Sequence, residues 1–424
     1  MLNNFKAIYR KTDDLIKRRN KVNELICFLF FFVLFEPRYF FYVEKVNKVF
    51  SIALMAISVV LLIYYVFFEW CKWSKITVLC LVYHAYLCVV TLFRNGDMVN
   101  AIQDSLFFCS ICILTEYCLK YNPRFLYTKL LFLLSCEVVI NLISIVWLKG
   151  LYSASYVNDG YFFGNRNQMI NVLLPAIMLG YIYALSQKKF SRSILFLLLG
   201  ISLFSVIYTD SKASSLMTVL MLFPILCLIN FSNLFNMATY LCANLLGFFL
   251  IVIVRIQEKM EAFIAFVFAG RNATFSGRDV IWNRTIQLIS ENPFFGYGLE
   301  KNADRIAKYA DATFGSLHAH NRFLETMYRG GIVLTIIYAV MLFIVVFSLT
   351  KNRKLDVAKI VSFTLFVYLV GMLTEFYRYS YFFFPMMVIA ENIVAFQNSV
   401  EKDLESVAEE KRRILGIWPR IRKI

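Results

Sequence analysis

The sequence is short of most of what a soluble enzyme works with. It has three histidines, and only 17% of its 424 residues are charged. The 44 basic residues outnumber 28 acidic ones, but no Lys/Arg stripe interleaved with aromatics lies on a soluble stretch, so the net charge of +16 does not point to nucleic acid. The basic excess belongs instead to loops and tails that face the cytoplasm and anionic lipid headgroups. The ten cysteines lie almost all in apolar runs, and none falls in the long polar segment 257–322. That excludes a disulfide framework and leaves them as small buried hydrophobes. Cys109-x-x-Cys112 has the spacing of a zinc or redox pair but lacks a second pair. No outward pair of aspartates is present to hold Mg²⁺; Asp13 and Asp14 fall on the cytoplasmic side. No glycine- or proline-broken pair of helices marks a transport site at mid-membrane, and charge is sparse in the apolar runs of the first half. Internal repeats and low-complexity tracts are absent. The opening stretch MLNNFKAIYRKTDDLIKRRNKVNE lacks the pattern of a cleaved signal peptide, so it is expected to be a cytoplasmic tail.

Apolar length is what the sequence has in abundance. It is 60% hydrophobic and 17% aromatic, with a mean hydropathy of +0.64. Such a composition belongs to a polytopic, all-α membrane protein. Twelve spans are expected: 23–36, 48–68, 76–93, 101–119, 129–148, 167–185, 194–208, 213–230, 235–254, 323–350, 359–374 and 379–397. The basic connections EWCKWSK, KYNPRFLYTK, SQKKFSRS and TKNRKLDVAK place both termini inside. The organisation is then a tail (1–22), nine spans (23–254), a large outer loop (255–322), three spans (323–397) and a second tail (398–424). The outer loop reads as a small helical cap. SGRDVIWNRTIQLISENP predicts a helix capped by Ser276 with Asp279, carrying Val280, Ile281, Ile286 and Ile289 as its apolar stripe and stopped by Pro293. EKNADRIAKYADATF predicts a second, shorter one.

Four outward-facing stretches carry polar groups at helix ends, where charge is costly unless it meets a wet cavity. DGYFFGNRNQMIN sets Arg166 between two asparagines. YTDSKASS holds Asp210 and Lys212, and FSGRDVIW holds Arg278. HAHNRFLETMYRGG, residues 318–331, holds His318, His320, Asn321, Arg322, Glu325 and Arg329. Each has a plainer reading. Arg166 and Lys212 could snorkel, Arg278 could lie on a solvated face, and His318 and His320 could bond carbonyls. Glu325 and Arg329, at i,i+4 spacing, could form a structural ion pair. The run EFYRYSYFFF reads as an interfacial aromatic belt rather than a sugar platform. Together the four stretches favour chemistry. Several cations on one membrane face suit a lipid diphosphate, and a histidine suits a general base.

These residues resemble the O-antigen ligase/polymerase superfamily, whose members act on undecaprenyl-pyrophosphate-linked glycans outside the plasma membrane. His320-Asn321, nine residues, then Gly331 match the pattern that closes the family's large outer loop, with Leu334 as a departure at its last position. Gly277, Arg278, Trp282, Gly296 and Gly298 resemble its GR…W…G.G stretch. YTDSKASS resembles its Ser-Arg-Gly/Ala segment with Lys212 in place of arginine, which keeps charge but loses the bidentate fork. The resemblance covers roughly 160–335. It implies a GT-C-like membrane glycosyltransferase without metal or other cofactor. His320 would be the catalytic base, with Arg278 the other catalytic residue. Arg166, Lys212 and Arg278 would bind pyrophosphate, with Asn321, His318, Arg322 and Glu325 around the substrate.

The expected function is a polysaccharide polymerase joining lipid-linked repeat units of a capsule or O-antigen at the outer face of the bacterial plasma membrane. Its partners would be the lipid-linked glycan, the bilayer, a flippase and a chain-length regulator, with no nucleic acid. Two alternatives stand beside it: an O-antigen ligase moving polymer to a lipid A core, and a flippase or other transporter.

Overall fold

The computed structural model describes residues 21–68, 73–155, 158–187, 191–223, 234–256, 277–309, 317–377 and 382–414. Helix α1 (21–34) leads through a 3-10 turn (Arg38–Tyr42) to α2 (Glu44–Phe68), α3 (Lys75–Phe93) and α4 (Met98–Tyr121). A π-helical turn (Leu126–Leu130) opens α5 (Leu131–Val146). Strands β1 (Tyr152–Ser155) and β2 (Asn158–Gly160) form an antiparallel hairpin, followed by α6 (Ile170–Ser186), α7 (Ser191–Tyr208), α8 (Lys212–Leu220) and α9 (Met237–Phe248). In the cap lie α10 (Arg278–Glu291) and α11 (Asn302–Lys308). The chain ends with α12 (Arg322–Lys351), α13 (Asp356–Met372), α14 (Phe383–Glu391) and α15 (Ile393–Ile414).

The architecture is the expected all-α polytopic one, with the small hairpin added. Five of the described helices are long and apolar enough to cross a bilayer: Glu44–Phe68, Lys75–Phe93, Met98–Tyr121, Leu126–Val146 and Arg322–Lys351. Three more, Ile170–Ser186, Arg192–Tyr208 and Met237–Ile253, are apolar but shorter. Their outer faces are apolar because hydrocarbon, not water, is the solvent there. In α12 one stripe, Leu334, Tyr338, Met341, Val345 and Leu349, is buried. The opposite stripe, Ile332, Ile336, Val340, Phe343 and Phe347, is exposed. Both repeat every three or four residues, as two faces of one helix must.

Three expectations change in detail. The last span is not one segment, since the chain breaks at Asn392 between α14 and the charged, amphipathic α15. Helix α10 buries Ile281, Trp282, Thr285, Leu288 and Ile289, whereas Val280 and Ile286 stay exposed. Its N-cap position is Gly277, which offers no side-chain bond; Ser276 lies outside the described residues, as do 224–233, 257–276 and 310–316. The expected short helix in EKNADRIAKYADATF is α11.

The two ends of the bundle are held by polar contacts. At one end, Glu391 on α14 accepts hydrogen bonds from the Lys75 and Ile76 amides at 3.0 and 2.9 Å, satisfying the first turn of α3. Glu116 on α4 accepts from the Tyr65 hydroxyl and the Ser74 amide, both at 2.9 Å. At the other end the cap locks onto α12 through a kink. Gly331 adopts φ 60°, ψ −157° inside that helix, a region only glycine enters readily. The kink frees the carbonyls of Tyr328 and Arg329, which accept from the amides of Tyr297 (3.0 Å) and Gly298 (2.8 Å). In return the Ile332 amide donates to the Pro293 carbonyl at 2.8 Å. A Cβ on Gly331 would lie 2.2 Å from the Phe294 carbonyl oxygen.

Gly331→Ala is therefore expected to cost about 1–3 kcal/mol from backbone strain alone, and more from the carbonyl contact. The measurement is the thermal unfolding midpoint in detergent micelles. An unchanged midpoint would show that the kink is not needed to seat the cap.

Candidate functional site

Segments from across the chain meet where the cap covers the bundle: the 3-10 turn, the α3–α4 link and the start of α4, the loop before α6 and the start of α6, the cap turn 298–302 with α11, residues 317–320, the first turns of α12 and the loop after α13. They enclose a cavity of about 320 Å³. Its lining includes His318, His320, Glu325, Arg329, Arg305 and Glu375. The amide side chains of Asn100, Asn165, Asn167, Gln168, Asn171 and Asn302 line it as well.

His320 is set by a sharp turn. Its φ of 47° is unusual for a non-glycine residue and joins the cap to the start of α12. Asn321 fixes that start. Its Oδ1 accepts from the Leu324 amide at 3.0 Å, and its Nδ2 donates to the Leu373 carbonyl at 2.8 Å. The second bond ties α12 to the loop after α13, which carries Glu375. His320 Nδ1 lies 2.9 Å from Glu375 Oε1. Arg278 Nη2 donates to Glu375 Oε2 at 2.9 Å, and its Nη1 donates to the Thr374 carbonyl. Burial pushes the Glu375 carboxyl up. The His320 hydrogen bond, then the nearby His320, Arg278 and His318 charges, outweigh it and hold the group at about 2. His318 stacks edge-on against His320, with ring centres 4.1 Å apart. Burial first, and the neighbouring His320 second, push its imidazole down to about 4.

Beneath this pair lies a buried ionic cluster. Glu325, 1% exposed, accepts from Arg305 Nη2 at 2.9 Å, Arg329 Nε at 2.6 Å and the Ala319 amide at 2.7 Å. Arg305 also stacks 3.6 Å over the Tyr328 ring. Arg329 donates to Glu325 through Nε, and its guanidinium lies 4.8 Å over the Phe376 ring.

The site residues expected from sequence fall into four groups. His318, His320 and Glu325 line the cavity. Asn321 and Arg278 stand behind it, binding the loops that present His320 and Glu375. Arg322 is 7% exposed and packs among the rings of Phe376 (5.3 Å), Phe384 (5.5 Å) and Tyr338 (5.9 Å). Arg166 and Lys212 are not in the lining. They share Asp210, at 3.8 and 2.7 Å, while the two asparagines flanking Arg166 do reach the cavity. Glu375 and Arg305 were not anticipated. Glu375 sits in the run taken for an aromatic belt, and a carboxylate at the end of an apolar span was the available signal. Arg305 lies on a polar cap helix with no local pattern to single it out.

His318, His320 and Glu375 bring three donor atoms within 4.8 Å of one another, a set that a divalent metal accepts. The surroundings oppose a cation. Glu375 is already engaged by Arg278 and His320, and Arg305 and Arg329 line the same cavity. The arrangement suits a His–carboxylate dyad facing an anion better than a metal centre.

Residues 161–339 match the family described as O-Antigen ligase. The match supports the O-antigen ligase/polymerase superfamily over that segment. The matched segment runs from the loop before α6 through the cap and into α12, so it contains both histidines of the cavity and the kink glycine. No curated protein matches the chain at a significant level. The superfamily's closing pattern acquires a physical meaning here. The histidine lines the cavity, the asparagine caps α12, and the glycine makes the kink that receives the cap. Leu334, the departure, is fully buried, and its side chain fills the space beside Gly330: a Cβ there would lie 2.2 Å from Leu334 Cβ.

The cavity should report its own acidification. Both titrating groups are held below their ordinary values, 6.5 for His318 and 4.5 for Glu375. The unfolded chain therefore binds more protons than the native state from pH 6.5 to about 4 for His318, and from pH 4.5 to about 2 for Glu375. Stability is expected to fall with pH through both windows. In His318→Gln the upper window should flatten while the lower one remains. Thermal midpoints collected from pH 7 to pH 2 test this, and an equally steep loss in the variant between pH 6.5 and about 4 would contradict it.

Proposed function

We propose that the chain is a polysaccharide polymerase. It transfers a growing glycan from one undecaprenyl pyrophosphate carrier onto the incoming lipid-linked repeat unit, at the outer face of a bacterial plasma membrane. The observation that carries the reading is the His320–Glu375 dyad at 2.9 Å, set in a cavity that also holds arginines and six side-chain amides. In this reading the chain crosses the membrane about twelve times with both termini in the cytoplasm, and residues 255–322 form the outer cap.

The chemistry needs no redox partner. An acceptor sugar hydroxyl attacks the anomeric carbon of the donor glycan. The bond from that carbon to the pyrophosphate oxygen breaks, and the pyrophosphate leaves on its lipid carrier. His320 takes the hydroxyl proton through Nε2, the ring nitrogen not engaged by Glu375. Glu375 does not itself accept the proton. It holds the ring in one orientation and stabilises the imidazolium that forms, as the carboxylate of a catalytic triad does. Charge growing on the departing pyrophosphate is met by Arg305 and Arg329, whose positions are fixed by Glu325 beneath them. The amides suit sugar hydroxyls, since each offers both donors and an acceptor. Arg278 and Asn321 are positioning residues, and Arg166 and Lys212 act at the mouth, on the approach of the charged headgroup. No metal is required in this scheme.

His320→Ala, expressed at the wild-type level, is expected to lower polymer formation by about 10²–10⁴-fold, the usual weight of general-base catalysis. Exported single repeat units should accumulate on their carrier. Gel separation of envelope polysaccharide and lipid-linked intermediates reads this out. Long polymer stranded on the carrier would indicate a ligase instead, and single units trapped inside a flippase. An unchanged ladder would remove His320 from the mechanism.

A further inference from the structure

The turn that follows α10 carries two phenylalanines side by side. Phe294 is 64% exposed and Phe295 60%. The backbone beneath them is held from two helices. From the end of α3, Arg94 donates through Nε to the Gly296 carbonyl at 3.0 Å and through Nη2 to Asn292 Oδ1 at 2.6 Å, so one guanidinium spans the turn. From α12, the Ile332 amide donates to the Pro293 carbonyl at 2.8 Å and the Val333 amide to the Phe294 carbonyl at 3.4 Å. None of these bonds uses the two rings, which a fixed backbone presents outward.

The surface beside the rings is apolar on both flanks. Leu92 and Phe93, in the last turn of α3, are exposed, and so are Ile332 and Ile336 on α12. The two helices pack against each other, and the Tyr86 hydroxyl on α3 donates to the Gly330 carbonyl at the kink at 3.1 Å. Both are long and apolar enough to cross a bilayer. The exposed stripe that runs along α12 through Val340, Phe343 and Phe347 therefore begins at the cap turn. Behind the turn the surface becomes polar, with Gln287, Ser290 and Glu291 exposed at the end of α10. Arg94 and Asn292 lie at the border. Such a step, with aromatic rings on one side and an arginine at the edge, is that of the membrane–water interface. In water, two adjacent exposed phenylalanines would keep a large apolar area hydrated.

We propose that Phe294 and Phe295 insert among the acyl chains of the leaflet beneath the cap, so that the cap is seated on lipid as well as on α12. Continuity with the exposed stripe of α12 selects lipid as the occupant over a partner protein. The contact bears on the site. Gly298 and Leu299, just beyond the rings in the chain, line the His320 cavity. Lipid beneath the turn thus sets the height of the cavity wall above the membrane. The inference takes from the polymerase reading only that this leaflet is the outer one.

The test is photo-crosslinking of the full chain in its native membrane. A benzophenone amino acid replaces Phe294 or Phe295, with Ile336 as the lipid control and Gln287 as the aqueous one, and the intact mass is measured after irradiation. An adduct heavier by one phospholipid is expected at both phenylalanine positions, as at Ile336 and unlike Gln287. A crosslink to another protein, or no lipid adduct at either position while Ile336 is labelled, would overturn the proposal. Phe294→Trp and Phe295→Trp give a second readout in vesicles whose lipids are brominated on their acyl chains. The emission added over wild type is expected to be quenched by the bromine; quenching by aqueous iodide instead would also overturn the anchor. Neither readout depends on catalysis, so its failure leaves the His320→Ala test of the polymerase reading untouched.

Discussion

A carboxylate buried at the edge of a membrane must be matched by cations, and much of this structure follows from how Glu325 is matched. It lies almost wholly out of solvent and is held by Arg305 from the cap, Arg329 from its own helix and the Ala319 amide. Removing one partner of such a cluster leaves an uncompensated charge, which is far costlier than the cluster itself. The cap is thereby fixed to α12 by charge as well as by the Gly331 kink. Without that anchorage His318 and His320, which flank Ala319 just before the helix start, would have no defined position.

From this constraint the site is assembled in layers. The kink exposes two helix carbonyls, and the Tyr297–Gly298 turn satisfies them. Asn321 starts α12 and reaches across to Leu373. Arg278 holds the same loop from the cap side. Glu375, at the centre of that loop, then meets His320. Each contact that orients the dyad comes from a different segment, so the geometry exists only when cap and bundle are assembled. That arrangement holds the dyad between cap and bundle, with Glu375 buried and His320 partly open to the cavity.

Much of this was legible in the sequence, and the reasons differ by feature. The apolar runs fixed most helices within a few residues, because hydrocarbon imposes length and composition together. His318, His320 and Glu325 stood out as rare polar groups beside an apolar helix. The Glu325–Arg329 spacing announced an ion pair, and the pair is present, at 2.6 Å. Glu375 was masked by its aromatic neighbours, and its partner is 55 residues away in the chain. Arg166 and Lys212 looked equivalent to the cavity cations by charge and by outward location. Only the fold shows that Asp210 gathers them outside the cavity. The break at Asn392 and the π-helical turns leave no mark in hydropathy, since they interrupt the backbone and not the apolar content.

The central claim is that the imidazole of His320 removes a proton from the acceptor during glycosyl transfer. The most direct measurement is chemical rescue. The His320→Gly protein would be purified and reconstituted in vesicles with lipid-linked donor and acceptor, and lipid diphosphate release followed with and without added imidazole. The account predicts that release is lost in the variant and partly restored by imidazole entering the vacated space, in the presence of a metal chelator as in its absence. Release at the wild-type rate without imidazole would contradict the claim.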